Sequence, residues 1–221
     1  MVASSGLLLA SQQGYRRRYY TPLEVSGHNS ADDLWVTLSG KVLDLTEVVA
    51  KERSMLTQPL VLHAGEDISC WFDAKGDLKT YYDEAKGLFL PYTPMGRFLH
   101  VESDAETLPF WKDEKLVIGH ISGKVRKVQI VNTLTKQTDV LTVCAEETFA
   151  EIQTRYRDFN DHAASYVWKK LEDDRFIRID MSHTLDAAGM TEHPTFDAID
   201  LDDDKYLPTV HLYFSDDLTY N

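Results

Sequence analysis

Five aspartates, Asp197, Asp200, Asp202, Asp203 and Asp204, crowd one short stretch, and carboxylates that close could in principle hold a calcium ion. A calcium loop also needs a glycine at its sharp turn and a glutamate at its end. Both are missing, so the run reads as a solvated acidic loop. His183 and His193 carry imidazoles suited to zinc, yet the cysteine pair or third ligand that zinc spacing requires is not there. Cys70 and Cys144 lie far apart and cannot form a disulfide framework, which fits a reducing compartment; a single bridge between them is the other reading. No glycine-rich phosphate loop and no nucleophile elbow occurs, and no two carboxylates can be placed face to face for acid–base work. The inventory points away from an enzyme.

The elements that position these side chains begin at Tyr19. Thr21 can cap a short helix starting at Pro22, and the Asn29–Asp33 cluster turns the chain before the alternating strand Leu34–Leu38. Gly40 turns a hairpin, Lys41–Leu45 returns as a second strand, and Thr46 with Glu47 opens the next helix. Around Glu102–Glu106 periodicity gives way to acidic residues, and Pro109 follows, which reads as a linker over 104–119. Beyond it Val125–Asn132 alternates as a half-buried strand, Leu134–Gln137 turns, and Thr138–Cys144 returns. Thr148 and Glu151 form a capping box, and Phe149, Ile152, Tyr156 and Phe159 line one face of the helix it opens. Tyr166–Leu171 and Phe176–Ile179 supply two short strands. Val210–Phe214 supplies the last, with Val210, Leu212 and Phe214 on one face. The expected organisation is an arm over 1–18, a domain over 19–103, the linker, and a second domain over 120–221.

The 221 residues suffice for one large core or two small ones. A formal net charge of −13 should repel nucleic acid and anionic lipid, and predicts partners with basic surfaces. Gly6–Ala10 is apolar but too short to span a membrane, and it precedes Arg16–Arg18 rather than following a basic flank, so the expectation is a soluble intracellular protein. Residues 1–14 have two readings: a flexible arm, or a peptide whose three leucines dock on a partner.

The run from Tyr19 to Val49, with Tyr-Thr opening a helix, a Trp-led strand and Gly-Lys-Val-x-Asp-Leu-Thr, resembles the start of the cytochrome b5 fold. The second half resembles ubiquitin-like β-grasp domains in its element order and in the connection Thr184-Leu185…Gly189-Met190. Its end, Asp216–Asn221, lacks the Gly-Gly tail that conjugation needs, which leaves a β-grasp used as a binding surface. The fold class read from the chain is therefore α+β, a cytochrome b5-like domain followed by a ubiquitin-like β-grasp.

What the first resemblance implies is a haem held between two neutral imidazoles, one from a His-Pro-Gly-Gly motif and one downstream beside a short helix. Ala64-Gly65-Glu66-Asp67-Ile68-Ser69…Phe72 sets the register against that family, and the two axial positions then fall on Arg53 and Asp77. Neither axial histidine is present, although an ion pair between Arg53 and Asp77 is conceivable. Replacement candidates near the pocket are His63, otherwise a surface or cap histidine; Met55, otherwise a core gap-filler; and Cys70, otherwise a small or redox-sensitive residue. Phe72 and Trp71 are expected to pack the core around the pocket.

Ala64–Asp73, Thr93–Val101, Ile130–Thr135, His162–Lys169 and Leu212–Thr219 together resemble a ciliary and axonemal family of cytochrome b5-like proteins. That resemblance implies a cilium or flagellum protein of the axoneme and cytoplasm, associated with radial spokes and ciliary beating, with haem binding reported in the family. The leading expectation is a non-enzymatic scaffolding subunit whose partners are radial spoke and other axonemal proteins. Nucleic acid, membrane and direct contact with the acidic tubulin lattice are disfavoured. The alternatives are a haem-binding redox sensor within the spoke and a soluble electron-transfer protein.

Overall fold

The computed structural model describes residues 17–94, 96–101, 107–191 and 207–214. The arm over 1–14, the acidic run Asp197–Asp204, His193 and the terminal Asp216–Asn221 lie outside the described residues. Two compact units form, one from Val25–His120 with the residues up to Arg18, the other from Ile121–Asn221 with Tyr19–Glu24.

After the two-residue strand β1 (Tyr19–Tyr20), Thr21 opens α1 (Pro22–Gly27). Its Oγ1 accepts from the Glu24 N–H at 3.2 Å while the Glu24 carboxylate accepts from the Thr21 N–H at 2.8 Å, a reciprocal cap that satisfies two donors the helix cannot. In the first unit β2 (Asn29–Ser30) and β3 (Asp33–Leu38) form a tight hairpin, and β3 turns through Ser39 and Gly40 into β4 (Lys41–Asp44). Ser39 at φ 50° and Gly40 at φ 81° both lie in the left-handed region that a two-residue hairpin demands. Thr46 begins α2 (Thr46–Lys51), but its hydroxyl does not cap it: Oγ1 accepts from the Leu34 N–H at 3.0 Å, tying the helix start to β3.

Next come α3 (Gln58–Leu62), a 3-10 turn over Ser69–Trp71, and the hairpin of β5 (Thr80–Asp83) and β6 (Leu88–Pro91). The strand β7 (Val117–Ile121) returns to pair antiparallel with β4, Lys41 opposite His120 and Val42 opposite Gly119, so the sheet continues β7-β4-β3-β2. Leu34, Val36, Leu45, Leu60 and Ile68 are fully buried against it. Each such side chain contributes about 1.5–3 kcal/mol.

This corrects the expected linker over 104–119. Phe110, 1% exposed, and Val117–His120 of β7 belong to the first unit, whose division from the second falls at His120 and Ile121 rather than between Val101 and Gly119; the interval puts Phe110 in the core and starts β7 at Val117. Tyr19–Glu24 likewise groups with the second unit, not with 19–103.

In the second unit β8 (Val125–Asn132) pairs antiparallel with β9 (Thr138–Cys144), followed by α4 (Phe149–Tyr156), β10 (Tyr166–Glu172), β11 (Arg175–Arg178) and β12 (Thr209–Phe214). The strand order is β11-β10-β12-β8-β9, with β12 parallel to β8 and the other pairs antiparallel. Thr148 caps α4, with both bonds of the box to Glu151 present. Phe149, Ile152 and Tyr156 are buried, whereas Phe159 is not on the helix face: α4 has ended, and Phe159 is 53% exposed and stacks on Tyr156. Phe214, expected to share the buried face of Val210 and Leu212, is 43% exposed at the strand end, edge-on to Tyr166.

Candidate functional site

The last turn of α3 delivers His63, whose N–H bonds the Leu60 carbonyl, and Gly65 then reverses the chain at φ +80°. The returning loop is stitched to β3: Gly65 N–H donates to the Trp35 carbonyl at 2.7 Å, Thr37 N–H to Glu66 at 2.9 Å, and Ile68 N–H to Thr37 at 2.9 Å. Asp67 accepts from the Ser69 N–H at 3.0 Å just ahead of the 3-10 turn that carries Cys70 and Trp71, whose N-cap position is Ile68 and has no side-chain cap. Local sequence thus dictates where His63, Cys70 and Phe72 emerge.

The His63 Nδ1 lies 2.7 Å from the Glu66 carboxylate, and its ring meets the Trp71 indole edge-on at 5.3 Å. Nε2 is buried without a hydrogen-bond partner. Trp71 and Phe72 lie in the core, where Trp71 contacts Phe98 at 5.0 Å and Phe72 contacts Trp111 at 5.4 Å; Phe98 and Phe110 complete the aromatic cluster. Cys70 is exposed, and its carbonyl accepts from Lys79 Nζ at 2.8 Å. Met55 is 83% exposed, so it fills no gap in the core.

Arg53 and Asp77 do not pair with each other. Arg53 binds the Asp32 carboxylate, and Asp77 accepts from Lys112 Nζ at 2.6 Å. The Asp77 N–H donates to the Asp73 side chain at 3.0 Å, and that bond is the largest cause holding the Asp73 carboxyl below its ordinary range. The chain after Asp77 also departs from the expected short helix: it forms β5 and β6, where Tyr82 packs on Phe89 at 5.2 Å and Leu88 and Phe89 are well exposed. The other histidine before His63 is committed elsewhere, with His28 stacked on Trp35 at 3.5 Å and 2.6 Å from Asp33.

The four candidates therefore do not converge on one pocket. His63 leans on the core, Phe72 is inside it, and Cys70 and Met55 face solvent. Among the described residues no group of three or more His, Cys, Asp or Glu side chains could hold a metal ion. The residues to which the sequence register assigns the axial positions do not fit a haem clasped between two imidazoles: Arg53 is an always-charged guanidinium and Asp77 a carboxylate, each held in its own ion pair. Trp111, Phe98 and Phe110 were not singled out from the sequence. The signal was there in Pro109-Phe110-Trp111, an apolar cluster too hydrophobic for a solvated linker.

Residues 21–121 match the cytochrome b5-like heme/steroid binding domain. The chain is 43% identical over 216 residues to cytochrome b5 domain-containing protein 1 of Xenopus laevis, covering 92% of this chain and 97% of that protein. The chain belongs to the cytochrome b5 domain-containing protein 1 family. The human member is 38% identical, with 93% of each chain covered. Among solved structures, cytochrome b558 of Ectothiorhodospira vacuolata, a prokaryotic homologue of cytochrome b5, is 20% identical with a TM-score of 0.27, covering 46% of this chain and 95% of that one. The family match ends at residue 121, where β7 ends, so the pattern of this domain includes the strand that the acidic stretch had concealed.

Proposed function

We propose that this family member is a non-enzymatic scaffolding subunit of the motile-cilium axoneme, associated with radial spokes and ciliary beating, in which both units serve as protein-binding surfaces. Its partners are radial spoke and other axonemal proteins rather than nucleic acid, membrane or the tubulin lattice. The observation that carries the reading is that Arg53 and Asp77, to which the sequence register assigns the two axial positions, are tied to Asp32 and Lys112. The second unit is read as a ubiquitin-like β-grasp used for binding; a helix over a mixed sheet whose last strand runs parallel to its first supports that assignment.

Two measurements test this. Purified protein with stoichiometric hemin is expected to give a broad absorption spectrum that gel filtration removes. In ciliated cells the tagged chain is expected to stay with detergent-extracted axonemes and to be lost from axonemes without radial spokes; a uniform cytoplasmic distribution refutes the assignment.

A haem-binding redox sensor is the second reading, and one observation favours it: the His63 Nε2, buried and without a hydrogen-bond partner beside Trp71. A sharp Soret band with resolved α and β bands after reduction, abolished by His63→Ala, establishes that reading and removes the purely structural one. A soluble electron carrier needs two strong ligands and has the least support.

A further inference from the structure

The hairpin of β5 and β6 makes a two-stranded sheet of its own, and two strands without a third are marginal in water. Both of its faces are wet, with Tyr81 and Leu88 exposed on one and Tyr82 and Phe89 on the other. Its two edges differ. Lys79 donates its N–H to the Trp71 carbonyl at 3.0 Å and accepts from the Tyr92 N–H at 2.6 Å, so the Trp71–Asp73 run and β6 lie on the same side of the chain entering β5. Backbone alternation then turns the N–H and C=O of Tyr81 and Asp83 toward β6, and those of Leu78, Thr80 and Tyr82 outward. Among the described residues no hydrogen bond reaches these outward groups. On β6 the outward positions are Phe89 and Pro91, and Pro91 has no N–H to give. Of the two strands, β5 offers the complete edge.

That edge is complementary to itself. When it is laid antiparallel on a second copy with Tyr81 on the two-fold axis, Thr80 faces the partner's Tyr82, and each such pair exchanges both N–H···O bonds. The same register sets Lys79 against the partner's Asp83, an opposite-charge pair. The next register, with Thr80 on the axis, would set Asp77 against the partner's Asp83, a like pair. Both charges also serve the hairpin itself. Lys79 Nζ donates to the Cys70 carbonyl at 2.8 Å, and the Asp83 carboxylate accepts from the Ala85 and Lys86 N–H groups and lies 3.6 Å from Lys86 Nζ. Their part is to select the register. The attraction comes from the open amides and from Tyr81, half-exposed here and covered by its own twin across the axis, where side chains of a non-hydrogen-bonded pair come closest.

We propose that two copies of this chain pair antiparallel along the outer edge of β5, about a two-fold axis at Tyr81, and so join two hairpins into one four-stranded sheet. Strands this short bury less than the roughly 1,200 Å² of a stable complex, so the dimer is weak and forms where copies are held close together. This rests on the reading of the chain as a binding subunit and names one partner of its first unit, a second copy of itself.

The test is sedimentation velocity of the full chain from about 1 µM to about 1 mM. The sedimentation coefficient of the wild type should rise with concentration from the monomer value toward the dimer value. Thr80→Pro removes an outward N–H and leaves the β5–β6 ladder intact, and should weaken dimerisation at least about tenfold. Tyr81→Lys and Tyr81→Glu each place like charges on the axis, so each variant alone should stay monomeric, and an equimolar mixture of the two should dimerise again. That rescue needs both variants folded, and it holds the proposal to account even if Thr80→Pro does not keep the wild-type melting temperature. A wild type that stays monomeric throughout, a dimer that Thr80→Pro leaves unchanged, or a mixture of the Tyr81 variants that stays monomeric overturns the proposal. Because the measurement uses isolated protein, its failure leaves the axonemal assignment to its own test.

Discussion

Arg126 and Asp186 form an ion pair whose halves lie in different surroundings: Nη1 is 2.6 Å from the carboxylate, yet the arginine side chain is 1% exposed and the aspartate 62%. The second guanidinium nitrogen donates to the Met190 carbonyl, so one buried cation on β8 ties down the chain that leaves β11 for β12. Asp186→Ala removes the wet half and leaves the buried charge with its backbone partner. The expected cost is about 1–2 kcal/mol, between an exposed and a buried pair, read as a shift in urea midpoint.

Ile152 is fully buried on α4 among Val128, Trp168 and Leu212. Ile152→Asp would place an unpaired carboxylate there and should cost about 4 kcal/mol or more, enough to unfold the second unit near physiological temperature. Unchanged thermal melting would mean that this helix face is wrongly assigned.

Gly65 and Gly40 share a left-handed backbone, φ +80° and +81°, but not their surroundings. A Cβ at residue 65 would lie 3.0 Å from the Ser26 Cα, whereas one at residue 40 meets open space. Gly40→Ala should cost about 1 kcal/mol from backbone conformation alone, and Gly65→Ala about 2–3 kcal/mol. Equal costs in chemical denaturation would show that Ser26 yields without strain.

Stability of the second unit should fall at both ends of the pH scale. Burial lowers the His211 pKa, so its contribution is present above the ordinary value near 6.5 and is lost as pH falls through the lower folded value. Burial first, and then the hydrogen bond from its hydroxyl to Asp139 at 2.7 Å, raise the Tyr156 pKa. That contribution is present below about 10 and is lost as pH rises toward the folded value. Urea midpoints measured against pH should lose the acid limb in His211→Phe and the alkaline limb in Tyr156→Phe.

Short-range chemistry was the legible part of the fold. β8, β9 and the Thr148–Glu151 box follow from alternation and from one hydroxyl three residues ahead of a carboxylate, and the structure has them at the expected residues. β7 was not legible because its reason to exist is β4, more than seventy residues earlier, and no local pattern announces a partner so distant. Nor could spacing show where Arg53 and Asp77 turn: each sits beside an opposite charge, Asp32 or Lys112, that only the folded chain supplies. Phe159 followed the helical period of α4, but the helix ends at Tyr156, before its face could be used.

The late return of β7 decides how this protein can be cut. A fragment ended at residue 103, where the acidic stretch invites a boundary, would strip the partner from Lys41, Val42 and Leu43 and remove Phe110 from beneath Phe98. What remained would be a sheet edge of open amides over a hollowed core, the kind of surface on which chains aggregate during expression. A fragment carried through Ile121 retains both strand and ring.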